Sequence, residues 1–297
     1  GDFVNRLGKV PDISVLTAPL NKLQAIVDLC NDELSAYSRY LGRNPDKTGT
    51  LEAILQLPTS LWPDSAIKVF ETYIAQVTNH GLWRGTFAEL IQAFKGETAS
   101  KDNIRGLAKA FEHASIFMEP DVLNINRSVK ADDALVLFHG VPNTIESRNL
   151  PSYIVASVTL ELASCVAAAD GTISEVEMQH LYDNIDTWVH LSQANRHRLK
   201  ARLQLLQIAP VALATLKKKL DVLDASSKSV LASFAAALVQ ADGQVTSDEV
   251  KLLEKVYKLL GIDTQKVYSD IHMVATTSDS TISNQQASGA SLTLDPE

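Results

Sequence analysis

The sequence predicts a mainly α protein: two helical bundles in series, the second built from a duplicated unit, with a small β-hairpin as the candidate link between them. Three observations carry that reading. Hydrophobic residues make up 45% of the 297-residue chain but aromatics only 6%, and Ala and Leu are frequent, a composition that favours helix. Apolar side chains recur every three or four positions through most of the chain, in runs closed by Gly or Pro. Finally, the stretch Ala168-Ala169-Asp170-Gly171-Thr172-Ile173-Ser174-Glu175-Val176-Glu177 returns as Gln240-Ala241-Asp242-Gly243-Gln244-Val245-Thr246-Ser247-Asp248-Glu249, a period of 72 residues from Asp170 to Asp242. An ungapped return of this kind marks a repeated structural unit.

Taken in order, residues 1–19 contain Pro11 and Pro19 and little periodicity, and read as an extended arm. A helical domain is expected over 20–120. Leu23, Ile26, Val27, Cys30, Leu34, Tyr37 and Leu41 share one helix face, which Gly42 and Asn44-Pro45 bring to a stop. Arg39 and Arg43 are four apart and point the same way. They form either a solvated or acid-paired face, or a pair for an anionic ligand or a partner's carboxylate. A short helix over 48–57 takes Thr48 or Thr50 as its cap. Pro63 opens the next, with Ile67, Phe70, Ile74 and Val77 inward. After the turn at Asn79-His80-Gly81 come helices around Phe87 to Phe94 and from Ile104 to Phe117, with Trp62 and Trp83 as packing residues.

Residues 121–151 read as a connector. Val122 to Ile125 and Ala134 to Phe138 suit the two strands of a hairpin, and Asn143 to Pro151 the hinge between the halves. The duplicated domain follows over 152–275. Its first helix, from Ile154, is apolar nearly all round and so belongs in the middle of a bundle; its counterpart starts near Ser229. Arg196, Arg198, Lys200 and Arg202, then Lys217 to Lys219, form the most basic stretch and read as a wet face able to dock an acidic protein. Residues 276–297 are polar and read as a linker or tail.

The repeated motif has local logic. Gly171 and Gly243 suit the end of a helix, where the left-handed conformation is needed. Ser174 with Glu177, and Thr246 with Glu249, have the spacing of a capping box. Asp170 and Asp242 are left over, at the helix end where a negative charge is mildly unfavourable. Two readings follow. Either turn geometry alone accounts for both copies, or the oxygens of both copies together hold a hard cation such as calcium or magnesium. The spacing is not that of an EF-hand, since the twelfth position from Asp170 is Leu181.

These paired motifs on duplicated helices resemble the TerB domain of tellurite-resistance and stress-response proteins. The run from Glu249 to Ile262, then Val267-Tyr268-Ser269-Asp270, adds to the likeness. The segment Tyr37 to Pro45 with Leu57-Pro58 resembles the TerB-N region that precedes TerB in larger proteins. The resemblance spans most of residues 20–275. It implies an all-helical TerB fold and a non-enzymatic role in bacterial stress or phage-defence complexes. It also implies a divalent-cation site at Asp170, Glu177, Asp242 and Glu249, with Thr172, Ser174 and Thr246 as hydroxyl neighbours.

Composition narrows the alternatives. The net charge of −8 is spread over both halves, which is not the footprint of a nucleic-acid or anionic-membrane surface. Cys30 and Cys165 fall on apolar helical positions and read as buried reduced thiols, consistent with a cytoplasmic protein. No signal peptide is evident, and the longest apolar run, Ile154 to Ala169, is interrupted by Glu161 and is short for a bilayer. The chain reads as a piece of something longer. There is no phosphate loop, no dinucleotide fingerprint and no nucleophile elbow, and the seven histidines are scattered. The expectation is therefore a non-catalytic, cation-responsive interaction module that binds other proteins, with no organic cofactor. A metal-free scaffold is the alternative. A metal-dependent hydrolase is the third reading, lacking a general base or nucleophile beside the carboxylates.

Overall fold

A computed structural model describes residues 17–125, 128–168, 173–221, 223–240 and 245–272. It is mainly α, as expected. The elements are α1 (Thr17–Arg43), α2 (Leu51–Ile54), α3 (Asp64–His80), β1 (Leu82–Thr86), α4 (Phe87–Ala93), α5 (Lys101–His113), β2 (Ile116–Glu119), β3 (Ala134–His139), α6 (Ile145–Arg148), α7 (Pro151–Ala167), α8 (Glu175–Thr187), α9 (Gln193–Ile208), α10 (Leu213–Asp221), α11 (Ala225–Val239) and α12 (Ser247–Leu260).

The first half packs α2 to α5 around an aromatic centre. Trp62 and Phe70 meet edge to face at 5.4 Å, Phe70 lies 4.8 Å from Phe111, and Tyr73 meets Trp83 at 4.9 Å. The Trp62 indole N–H donates to the Leu57 carbonyl at 3.1 Å, so the ring is buried with its polar atom satisfied. Thr50 caps α2, Thr86 and Glu89 form a capping box at α4, and Ser100 caps α5. Gly81, at φ +79°, ends α3 in the left-handed conformation that a side chain disfavours.

Three antiparallel strands in the order β1-β3-β2 lie between the two halves. Because side chains alternate along a strand, one sheet face gives Ile116, Met118, Leu135 and Leu137 to the first core. The other gives Phe117, Val136 and Phe138 to a cluster with Ala201 and Leu205 of α9. One sheet therefore serves as a wall of both halves.

In the second half α7 is the axis. Val158, Leu162 and Val166 join the core formed with α10, α11 and α12, while Tyr153, Ala156, Leu160, Ala163 and Ala167 join the one formed with α8 and α9. The two stripes explain why its sequence is apolar nearly all round. The repeat maps well: α8 begins at Glu175 and α12 at Ser247, 72 residues on.

Several expectations need correction. The hairpin strand placed at Val122 to Ile125 is a turn, closed by the amides of Asn124 and Ile125 on the Asp121 carbonyl. The neighbour of β3 in this part of the chain is instead β2, four residues that overlap the end of the expected Ile104 to Phe117 helix and run two residues past it. That helix stops at His113, and Ser115 takes φ +59°. All four β2 residues are buried, so no polar alternation marked them as a strand. A further strand, β1, occupies the residues between the expected turn at Asn79-His80-Gly81 and the helix around Phe87. Thr17 to Pro19, assigned to an arm, are the first turn of α1, where proline is tolerated. Cys30, expected to be a buried thiol, is exposed, and the apolar face of that helix is covered only in part, by Leu34, Tyr37 and Leu41 toward its C-terminal end. Among the described residues no helix is long and apolar enough to cross a membrane.

Candidate functional site

Asp170 and Asp242 lie outside the described residues, as do Thr172, Gly171 and Gly243, so the fourfold carboxylate set cannot be placed as a whole. Its two glutamates can. Glu177 and Glu249 occupy matching third positions of α8 and α12, and each is 6% exposed. The Ser174 amide and hydroxyl donate to Glu177 Oε2 at 2.8 and 2.7 Å, while the Glu177 amide donates to Ser174 Oγ at 3.2 Å. In the second copy the Thr246 amide and hydroxyl donate to Glu249 Oε2 at 2.7 and 2.8 Å, and the Glu249 amide donates back at 3.2 Å. Ile173, buried between turn and core, pins the first copy. Both capping boxes are complete, so one oxygen of each glutamate is committed to its own turn. Among the described residues no group of three or more His, Cys, Asp or Glu side chains is clustered for a metal. A cation site built on the repeat needs Asp170 and Asp242.

Arg39 and Arg43 are brought together. They line a shallow depression of about 300 Å³ with Tyr40, Asn44 and Gln56. Arg39 Nε also donates to the Ser35 carbonyl one turn back at 3.1 Å, which ties that guanidinium to its own helix.

The most strongly built charged site was not foreseen. It lies where α9 and α7 meet the sheet and the loop after β2. Arg198 and Arg202, read above as a wet face, are turned inward; Arg198 is 2% exposed. Arg198 Nη1 donates to the Met118 carbonyl at 2.8 Å and to Glu119 Oε2 at 3.1 Å, and lies 3.8 Å from Asp121. Its guanidinium carbon sits 5.8 and 5.5 Å from the Phe117 and Phe138 ring centres. Arg202 Nη1 donates to Glu119 Oε1 at 2.6 Å and its Nη2 to Glu161, a residue of α7 with no exposed surface. Lys219 of α10 donates to both Glu161 oxygens at 2.8 and 2.7 Å. Arg148 of α6 donates to Glu112 at 2.9 Å and to both oxygens of Asp121 at 3.2 and 3.3 Å. Asn143 accepts from Arg148 and donates to Asn195 of α9 at 2.9 Å.

Four acids (Glu112, Glu119, Asp121, Glu161) thus meet four cations (Arg148, Arg198, Arg202, Lys219). Burial alone would raise the Glu161 carboxyl, but Arg202 and Lys219 outweigh it and hold the group below the usual carboxylate range. Burial, with Glu119 nearby, pushes the Tyr153 phenol well above its ordinary value. The network is electrically balanced, and the groups in it are committed to one another. What it can do is hold two halves in one register; buried arginine forks are suited to that. A sign was present in the sequence: Glu161 is a lone acid in an otherwise apolar helix, and such a group needs a buried cation.

A duplicated helical bundle, keyed by twin capping boxes and closed against a small sheet, is the class of domain these observations define. Residues 156–269 match the family model described as tellurite resistance protein TerB, and this part of the chain is a TerB domain. The TerB-N-like segment lies outside that match. No curated protein and no solved structure matches the chain.

Proposed function

We propose that the chain is a non-catalytic helical interaction module of a bacterial stress-response or phage-defence complex. In this reading it holds a divalent cation, calcium or magnesium, at Asp170, Glu177, Asp242 and Glu249. The observation that carries it is the TerB match together with a repeat whose two glutamates sit at equivalent, nearly buried helix starts. A cation shared between the copies would tie two helix junctions together and stiffen that end of the bundle. Arg39 and Arg43 would supply a second contact, to an anionic group on a partner.

Completeness of both capping boxes favours a second reading, a metal-free scaffold in which the glutamates act as caps only. Titration calorimetry and thermal melts with calcium and magnesium separate the two. The cation reading requires a melting temperature that rises with metal, and loss of that rise in Asp170→Ala/Asp242→Ala. No rise with either metal leaves the scaffold.

A further inference from the structure

Helix α1 carries more apolar surface than the other described residues cover. Leu20, Leu23, Val27, Cys30, Leu34, Tyr37 and Leu41 follow one another at alternating steps of three and four. That is a strict 3.5-residue repeat through three heptads, the spacing of a seam that meets another helix. Near its C-terminal end the seam is in use. Leu34, Tyr37 and Leu41 are half-buried where α1 packs on α2 and on the turn at Pro45–Lys47. The N-terminal part has no such cover: Leu20, Leu23, Ile26, Val27 and Leu29 are 46–59% exposed, and Cys30 is exposed beside them.

We propose that this stretch of α1 packs antiparallel against the same stretch of a second copy of the chain. Antiparallel helix pairs place a positions opposite d positions. Leu20 then faces the second copy's Cys30 and Leu23 its Val27, and the same two layers recur by symmetry. All four uncovered seam residues are used, and none of the seam already packed on α2. Each packed end extends past the other helix, so the two bodies stand at opposite ends. A parallel pair would drive each helix toward the other copy's α2.

The flanks suit self-association. Positions beside the seam are Gln24, Ile26, Asn31 and Glu33, with a single charge among them, so identical copies meet with little like-charge repulsion. The outer face, Asn21, Lys22, Asp28, Asp32 and Ser35, is not basic, which disfavours an anionic lipid surface as the occupant. The four seam residues and Ile26 beside them, retaining on the order of 50 Å² each, bring the area covered in two copies to about 500 Å². That is below the ~1,000 Å² of a standing interface, so the dimer is a weak one whose population depends on concentration.

Sedimentation velocity of the full chain from about 1 to 300 µM tests this. A shift from monomer to dimer is expected, absent in Val27→Glu, whose body melts at the wild-type temperature. The register is tested by oxidation in a Cys165→Ser background. Leu20→Cys is expected to form an intermolecular disulfide with Cys30. With the native Leu20, Cys30 is expected to leave the chain uncrosslinked, since the two Cys30 residues stand about 15 Å apart along the pair. A monomer at every concentration, a dimer that survives Val27→Glu, or efficient Cys30-to-Cys30 crosslinking would each overturn the proposal.

Discussion

Arg198→Met tests the join between the two halves most directly. Met keeps much of the aliphatic stem against Phe117 and Phe138 but removes the guanidinium. Breaking a buried ion pair costs about 3–5 kcal/mol when the remaining charge is stranded. Here neither acid is stranded: Glu119 keeps Arg202 at 2.6 Å, and Asp121 keeps Arg148 at 3.2 Å. The Met118 carbonyl, however, loses its 2.8 Å donor. The expected loss is therefore below that range, about 2 kcal/mol, roughly thirtyfold in the unfolding equilibrium. Urea unfolding followed by tryptophan emission reads it, with Trp62 and Trp83 reporting on the first half and Trp188 on the second. Arg198→Lys should recover only part, because one ammonium cannot serve the carbonyl and the carboxylate as a planar fork does. A loss under about 1 kcal/mol for Arg198→Met would refute the view that this residue fastens α9 to the sheet.

Acid should weaken the same region. The Glu161 carboxyl is held below its ordinary value of 4.5, so its contribution is complete above that pH and fades as pH falls through the lower folded-state value. Urea midpoints between pH 7 and 3 should drop less steeply in Glu161→Gln than in wild type. Ser174→Ala and Thr246→Ala should each cost about 1 kcal/mol by loss of a cap, read as lower urea midpoints. Gly261 ends α12 at φ +73°, so Gly261→Ala should destabilise by about 1 kcal/mol; an unchanged melting temperature would contradict that. In dilute protein Cys30 should react with a thiol reagent long before Cys165. Burial and the nearby Glu161 push the Cys165 thiol up to about 11, and its Sγ–H donates to the Val211 carbonyl at 2.8 Å.

Helices with two-sided or clearly one-sided apolar patterns were legible from sequence, α7 and α3 above all, because a 3.6-residue period is written locally. So were the capping boxes at Ser174 and Thr246, whose partners lie three residues away. What escaped depends on distant residues. The four-residue β2 becomes a strand only because β3 pairs with it, and its uniformly buried side chains read equally well as a helix end. Arg198 and Arg202 look like solvent-facing charge until Glu119, some eighty positions earlier, is brought beside them. The apolar stripe of α1 was visible, but that the other described residues leave much of it uncovered was not. Asp170 and Asp242, the residues on which the cation reading turns, lie outside the described residues.

The shared sheet has a practical consequence for dissecting the molecule. A fragment beginning at Pro151 would retain the whole stretch that matches TerB but would lose Phe117, Val136 and Phe138, and with them Glu119 and Asp121. Arg198 would then face water without its acids, and Arg202 would keep Glu161 alone. Such a truncation should be less stable and more prone to aggregate than the intact chain, so activity lost on trimming would say little about where a partner binds.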